Sequence, residues 1–319
     1  RDQALFFDGM KKRLPVGLSR DKEPLYANLE FLDGSRGAHV NISGISGVAT
    51  KTTYATFLLY NLFSSGVLGA AAINTKAVIY NVKGEDLLFL DKPNAELTDE
   101  HRALYGRLGL NPGVFESLEL WAPPRRGDVN AVPDVATRHD KVTSFFWTIY
   151  EFCHDDLLPF LFADAEDDRQ QYTIVVQNVM ARLRDASELD DGGAVIDGEE
   201  IRTFHDLVNL IENRLFDDAT AMRWAGRAIA GGTVNAFIRR LFGSIRHVEH
   251  MIRADVTNPD KHRIRRQAQV TVIDIHNLND RAKRFVVGVT LRRLFDEKER
   301  SGQSKPLQFI VLDELNKYA

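Results

Sequence analysis

The sequence predicts an α/β fold with a mainly parallel sheet, and three observations predict it. Apolar runs of strand length recur at residues 76–82, 117–121, 269–275 and 307–312. Stretches of helical period lie between them, most clearly at 54–63 and 284–295. Strand–helix–strand repeated in this way builds βαβ units. Finally, polar groups follow directly on two apolar runs, at residues 43–53 and at Asp313-Glu314. Ligands of open α/β sheets bind where strands end.

Composition narrows the class. The chain has 319 residues, 44% hydrophobic and 27% charged, enough for a sizeable core in one large domain or two modest ones. A net charge of -4 excludes a global basic field. The single cysteine, Cys153, excludes an internal disulfide and a Cys-rich zinc site. With no leader pattern and no apolar run of bilayer length, a cytoplasmic compartment and no membrane partner are expected. There is no internal repeat or low-complexity tract.

Residues 1–37 form a short β-rich lead-in; the alternating piece at 25–31 is expected to be a strand leading into the sheet, and 33–37 a turn cluster. Residues 38–42 alternate as a strand would. A loop with Gly44 and Gly47 follows and closes on Lys51-Thr52-Thr53, directly before a buried-helix pattern. This is the order a phosphate-binding loop requires. Glycines let backbone N–H groups turn toward an anion, the new helix adds its positive end, and a lysine neutralises the outer phosphates. The phosphate-facing candidates are Gly44, Ser46, Gly47, Val48, Ala49, Thr50, Lys51, Thr52 and Thr53, with the Thr52 hydroxyl on Mg2+. The pattern G-x-x-x-x-G-K-[ST] is met with two changes: Thr50 replaces the last glycine, and the first glycine position falls on Ile45, so the loop is one residue longer. The alternative is an ordinary strand-to-helix turn with a solvated lysine.

The strand at 76–82 ends in Lys83-Gly84-Glu85-Asp86, which either faces the nucleotide or forms a glycine turn. The strand at 117–121 is stopped by the Pro/Arg segment 123–127. Residues 145–162, rich in aromatics, read as helical core; His154 beside Asp155 and Asp156 lacks further ligand spacing and reads as a helix end rather than a metal site. Amphipathic helices are expected at 170–184 and 204–216, and an interrupted one at 219–252, so that residues of about 140–255 form a helical insertion. Residues 261–266 are the densest basic patch, fit for a nucleic-acid backbone, for solvent, or for an acidic face of another subunit. Asp313 then closes a buried parallel strand as the metal-side carboxylate and Glu314 follows as general base. Acidic residues are also favoured before a helix that follows a strand. Both motifs in this order point to ATP with Mg2+.

Taken together, residues 39–44 leading into Lys51-Thr52, the Asn81-x-x-Gly84-Glu85 element, Val272-Ile273-Asp274-Ile275 before a basic helix, and Val311-Leu312-Asp313-Glu314 resemble HerA-type ATPases of the HerA/FtsK superfamily. The resemblance spans most of residues 20–319 and is weakest in the insertion. It implies a RecA-like ATPase core at 38–319 and a lead-in that overlaps a small β-barrel domain. It also implies a hexameric ring around double-stranded DNA, and partnership with a NurA-type nuclease or another effector in end processing or phage defence. Carried over, Lys51 binds the β/γ-phosphates, Thr52 and Asp313 hold Mg2+, Glu314 is the catalytic base and Glu85 a secondary polar contact. Three departures stand out: the longer loop without a glycine before Lys51, Asn81 where the family has Asp, and the absence of the sensor and arginine-finger positions. Further strands are expected after Glu314, so the chain is expected to be part of a longer polypeptide. Two other readings remain: a nucleotide-binding ring scaffold with weak turnover, and a small-molecule P-loop kinase.

Overall fold

The computed structural model describes residues 9–34, 38–44, 50–162 and 170–314. The chain opens with β1 (Arg13–Leu18) and β2 (Pro24–Asn28), paired antiparallel with an irregularity between Pro15 and Gly17. The lead-in is thus a hairpin of its own, and the strand expected at 25–31 does not enter the main sheet. Its alternation serves the hairpin, and Asn28 then caps a 3-10 turn by accepting the Glu30 N–H.

Residues 38–44 carry no strand pairing, contrary to the expected strand. Alternation gives a strand its faces, but the ladder needs a neighbour. Then α1 (Thr50–Ser64) begins, followed by β3 (Lys76–Asn81), α2 (Asp99–Arg107), β4 (Leu118–Ala122) and β5 (Val142–Ser144). The chain then runs through α3 (Ile149–His154), α4 (Gln170–Leu183), β6 (Ser187–Glu188), β7 (Ala194–Ile196), β8 (Glu199–Ile201), α5 (Phe204–Phe216), α6 (Ala221–Ala225) and α7 (Gly231–Val248). It closes with β9 (Val270–Asp274), α8 (Asp280–Ser301) and β10 (Gln308–Leu312).

The main sheet has the order β10-β3-β9-β4-β5 and every pair in it is parallel. It is the α/β architecture of a P-loop NTPase fold. Parallel strands covered on both faces read as unbroken apolar runs, and residues 77–81 of β3 are all buried. On one face Ala77, Ile79, Leu120, Val270 and Val272 pack with Leu59 and Leu62 of α1. On the other, Val78, Tyr80 and Ile273 share a core with Phe285, Val286 and Val289 of α8.

The segment expected as a helical insertion differs in two ways. Val142–Ser144 belongs to the main sheet as β5, and β6, β7 and β8 form a small antiparallel sheet. Charged residues alternate too sparsely over 187–201 to announce those two- and three-residue strands. The helices themselves follow their apolar stripes. In α7, Val234, Phe237, Ile238, Leu241, Ile245 and Val248 recur at helical spacing and all are buried. At about 2 kcal/mol per large buried side chain, that stripe holds α7 against α4 and α5. The aromatic segment 145–162 is only partly helical: α3 starts on a capping box between Thr148 and Glu151, and a 3-10 turn, Leu158–Phe162, follows. No helix among the described residues is long and apolar enough to cross a membrane.

Candidate functional site

The site forms where α1 begins and β10 ends. No acidic residue occupies the first turn of α1, so its positive end is not neutralised locally. Lys51 and Thr52 lie in that turn. Thr52 donates its hydroxyl proton to Asp313 Oδ1 at 2.8 Å, across 261 residues of sequence. Beside this bond, Lys51 Nζ stands 3.7 Å from Glu314 Oε1, with about a third of each side chain exposed. Glu314 has a positive φ of 50°, in the left-handed region, where the chain turns off the strand. Four of the predicted site residues are therefore brought together by two elements from opposite ends of the chain.

A hydroxyl and a carboxylate are hard oxygen donors of the kind Mg2+ takes, and the ion keeps most of its waters and phosphate ligands besides. The residues present fit such an ion. Gly44 and Thr53 lie on either side of the loop and are exposed. Ser46, Gly47, Val48 and Ala49 lie outside the described residues; Thr50 opens α1 by its backbone.

Glu85 contacts the loop 136–138. Its carboxylate accepts the N–H groups of Ala136, Thr137 and Arg138 and the Thr137 hydroxyl. Burial alone raises its pKa, but those four donors outweigh it and bring the group down to about 2. So Glu85 ties the turn after β3 to the loop 136–138, and its accepting capacity is spent there rather than on Lys51 or Thr52. Arg138 continues the tie: 1% exposed, it grips Asp91 with both terminal nitrogens at 2.8 and 2.9 Å. That side-chain pair holds the Asp91 carboxyl well below its usual range.

A polar row next to Asp313 escaped the motif reading. Asn81 pairs with Asp274 in the register of β3 and β9, and Asp313 follows Leu312, the partner of Tyr80. Asn81 is fully buried and donates to Asp274 Oδ1 at 2.8 Å and to the Gly84 carbonyl at 2.6 Å. His276 Nδ1 lies 2.8 Å from Asp274 Oδ2. The Asp274 hydrogen bond raises the His276 pKa, against burial, with Glu85 and Asp134 adding to the rise. The available signal was Asp274 itself, a carboxylate ending a fully buried strand.

The basic patch and the His154 cluster singled out in the sequence make internal contacts. In the basic patch, Arg263 pairs with Glu151 at 2.7 Å and Arg266 with Glu297, while His262 stacks on Phe146. His154 contacts Asp155 and stacks on Tyr150, and among the described residues no group of three or more His, Cys, Asp or Glu could hold a metal ion. Burial pushes the Cys153 thiol up, so it is an inert core group.

A lysine and a threonine in the first turn of a helix, facing an Asp-Glu strand tip in a parallel sheet, are the parts of a P-loop NTPase. No family model matches the chain, and no curated protein does. Among solved structures, it is similar to VirB4 of Thermoanaerobacter pseudethanolicus, at 13% identity and a TM-score of 0.39, over 85% of this chain and 82% of that one. With no family shown, what the site can do follows from its own geometry.

Proposed function

We propose that the protein binds and hydrolyses ATP at the start of α1, and that it acts as a ring-forming motor on double-stranded DNA. The observation that carries the nucleotide part is the Thr52–Asp313 bond beside the Lys51–Glu314 pair. Lys51 binds the outer phosphates; Thr52 and Asp313 hold Mg2+. Bound Mg2+ neutralises charge on the phosphate oxygens. Glu314 accepts a proton from the attacking water. Lys51 pairs loosely with that base, and a triphosphate competes for the lysine.

The motor part is supported by the resemblance to HerA-type ATPases. It comprises a hexamer, DNA in the centre, and a NurA-type nuclease or other effector, in end processing or phage defence. Steady-state ATPase activity with and without duplex DNA, together with light scattering, tests it. Strong stimulation by DNA, lost at higher salt, and a ring-sized particle are expected. A strict monomer with DNA-independent turnover overturns the motor reading.

A second reading, a nucleotide-binding scaffold that assembles an effector, is favoured by Thr50 in place of glycine and by the engaged Glu314. Tight ATP binding with negligible turnover and intact assembly selects it.

A further inference from the structure

A second polar cluster sits on the same edge of the sheet, built from other elements. Arg126 comes from the loop after β4, Arg246 and His247 from the last turn of α7, and Asn279 and Arg281 from the start of α8. Arg126 donates to the Arg246 carbonyl at 3.1 Å, and the three arginines are exposed. Basic residues at the end of a helix are ordinary. The hydrogen bonding of His247 is not.

Asn279 caps α8 by accepting the Ala282 N–H at 3.1 Å, which fixes its amide with the NH2 toward His247 Nδ1 at 2.8 Å. Nδ1 is then the acceptor and the ring proton belongs on Nε2. Yet the Arg246 Nε–H points at that same Nε2, 3.2 Å away. Two donors face one another. The other tautomer only moves the conflict to Asn279, and the protonated ring has it at both nitrogens. Every assignment leaves more donors than acceptors.

The charges agree. Burial lowers the His247 pKa first, and Arg246, Arg281 and Arg126 lower it further. Nearby His250 is pushed down to about 4 by burial and then by Arg126 and Arg253, and its buried Nδ1 has no hydrogen-bond partner. Arg253 is balanced by Asp255. Among the described residues neither Arg126 nor Arg246 forms an ion pair. Arg126 and Arg246 thus add donors and positive charge that no carboxylate among the described residues pairs, in a chain of net charge -4.

We propose that Arg246, His247 and Arg126 form a binding site for phosphoryl oxygens, filled by the sugar-phosphate backbone of a polynucleotide. Guanidinium forks match phosphate oxygens in pairs, and most protein–DNA hydrogen bonds go to the backbone from such groups. The donors come from two segments, the loop after β4 and the last turn of α7, a spacing that suits a chain of phosphates. This assignment deepens the DNA part of the motor reading and is independent of the nucleotide site.

The test is the anisotropy of a fluorescein-labelled 20-base-pair duplex, titrated with the 319-residue chain over a range of KCl. In Arg126→Gln/Arg246→Gln, affinity falls about tenfold or more. The slope of log affinity against log salt shrinks by roughly 2, since each lost phosphate contact removes about 0.9. Arg223→Gln, which breaks an exposed pair with Asp197, binds like the parent. A parallel titration with inorganic phosphate follows the His247 ring nitrogens by NMR in the unmodified chain. A phosphate-induced shift of His247 without duplex binding supports the site and assigns free phosphate as its source. Duplex binding with unchanged affinity and slope in the double variant overturns the site, and so does the absence of both responses. Binding of a fluorescent ATP analogue is read separately, so that a missing nucleotide site and a missing phosphate site give different results.

Discussion

Two corners of the same sheet edge use similar residues in opposite ways. At the Glu85–Arg138 corner every strong group is spent: the carboxylate takes four donors and the buried guanidinium is held bidentately by Asp91. At the α1–β10 corner the groups are partly exposed, and a Thr52–Asp313 hydrogen bond and a loose Lys51–Glu314 ion pair are among the contacts that join them. Both corners bring together segments distant in sequence. The first has nothing left to offer a ligand, so it positions loops. The second keeps lone pairs and a cation available, so it can exchange its internal contacts for phosphates and an ion. The candidate ligand site and the structural tie differ here in the exposure and tightness of their contacts rather than in residue type.

Breaking each corner in turn sharpens the contrast. The largest effect is expected from Lys51→Ala. ATP hydrolysis, followed by phosphate release, falls about 100-fold or more, as when an electrostatic stabiliser is removed from an active site. The melting temperature stays close to that of the parent, because the side chain is part exposed and loosely paired. Arg138→Met does the reverse. Denaturant unfolding loses about 3 kcal/mol, since Asp91 keeps a partly buried charge with only the exposed Lys141 beside it, while binding of an ATP analogue per folded molecule is retained. Equal losses of stability in the two variants would erase the distinction between the corners.

A smaller effect is expected from Thr52→Val. It removes one hydroxyl and weakens Mg2+-dependent ATP binding about tenfold, the worth of a hydrogen bond to a charged group. Binding measured in EDTA changes less. The smallest effect appears only in acid. The Glu85 carboxyl has its folded pKa lowered from 4.5 to about 2. Its contribution is therefore complete above pH 4.5 and is lost as pH falls toward 2. In Glu85→Gln the melting temperature declines less steeply over that window than in the parent. Identical slopes would mean that Glu85 does not anchor loop 136–138.

Legibility followed the kind of signal. Strands β3, β9 and β10 and helices α5 and α7 were readable because burial on one or two faces imposes a period or an apolar run. Residues 38–44 were misread because alternation gives faces but no partner; the strand expected at 25–31 is present as β2, but pairs with β1 rather than with the main sheet. β5 and the β6–β8 sheet were missed because two or three residues carry no period. At the site, Lys51, Thr52, Asp313 and Glu314 were legible from order and residue type. Glu85 shared the motif but not the destination.

The sequence by itself determined the alternation of strand and helix and the polar residues that end the strands, since these depend on the local pattern of apolar side chains. Only the tertiary structure decided which polar groups meet. Parallel register aligned Asn81 with Asp274 across two strands, packing of α1 on the sheet brought Thr52 to Asp313, and Glu85 met the loop after β4. A hydrogen bond needs a partner within about 3 Å, and no one-dimensional pattern specifies that distance between residues far apart in the chain.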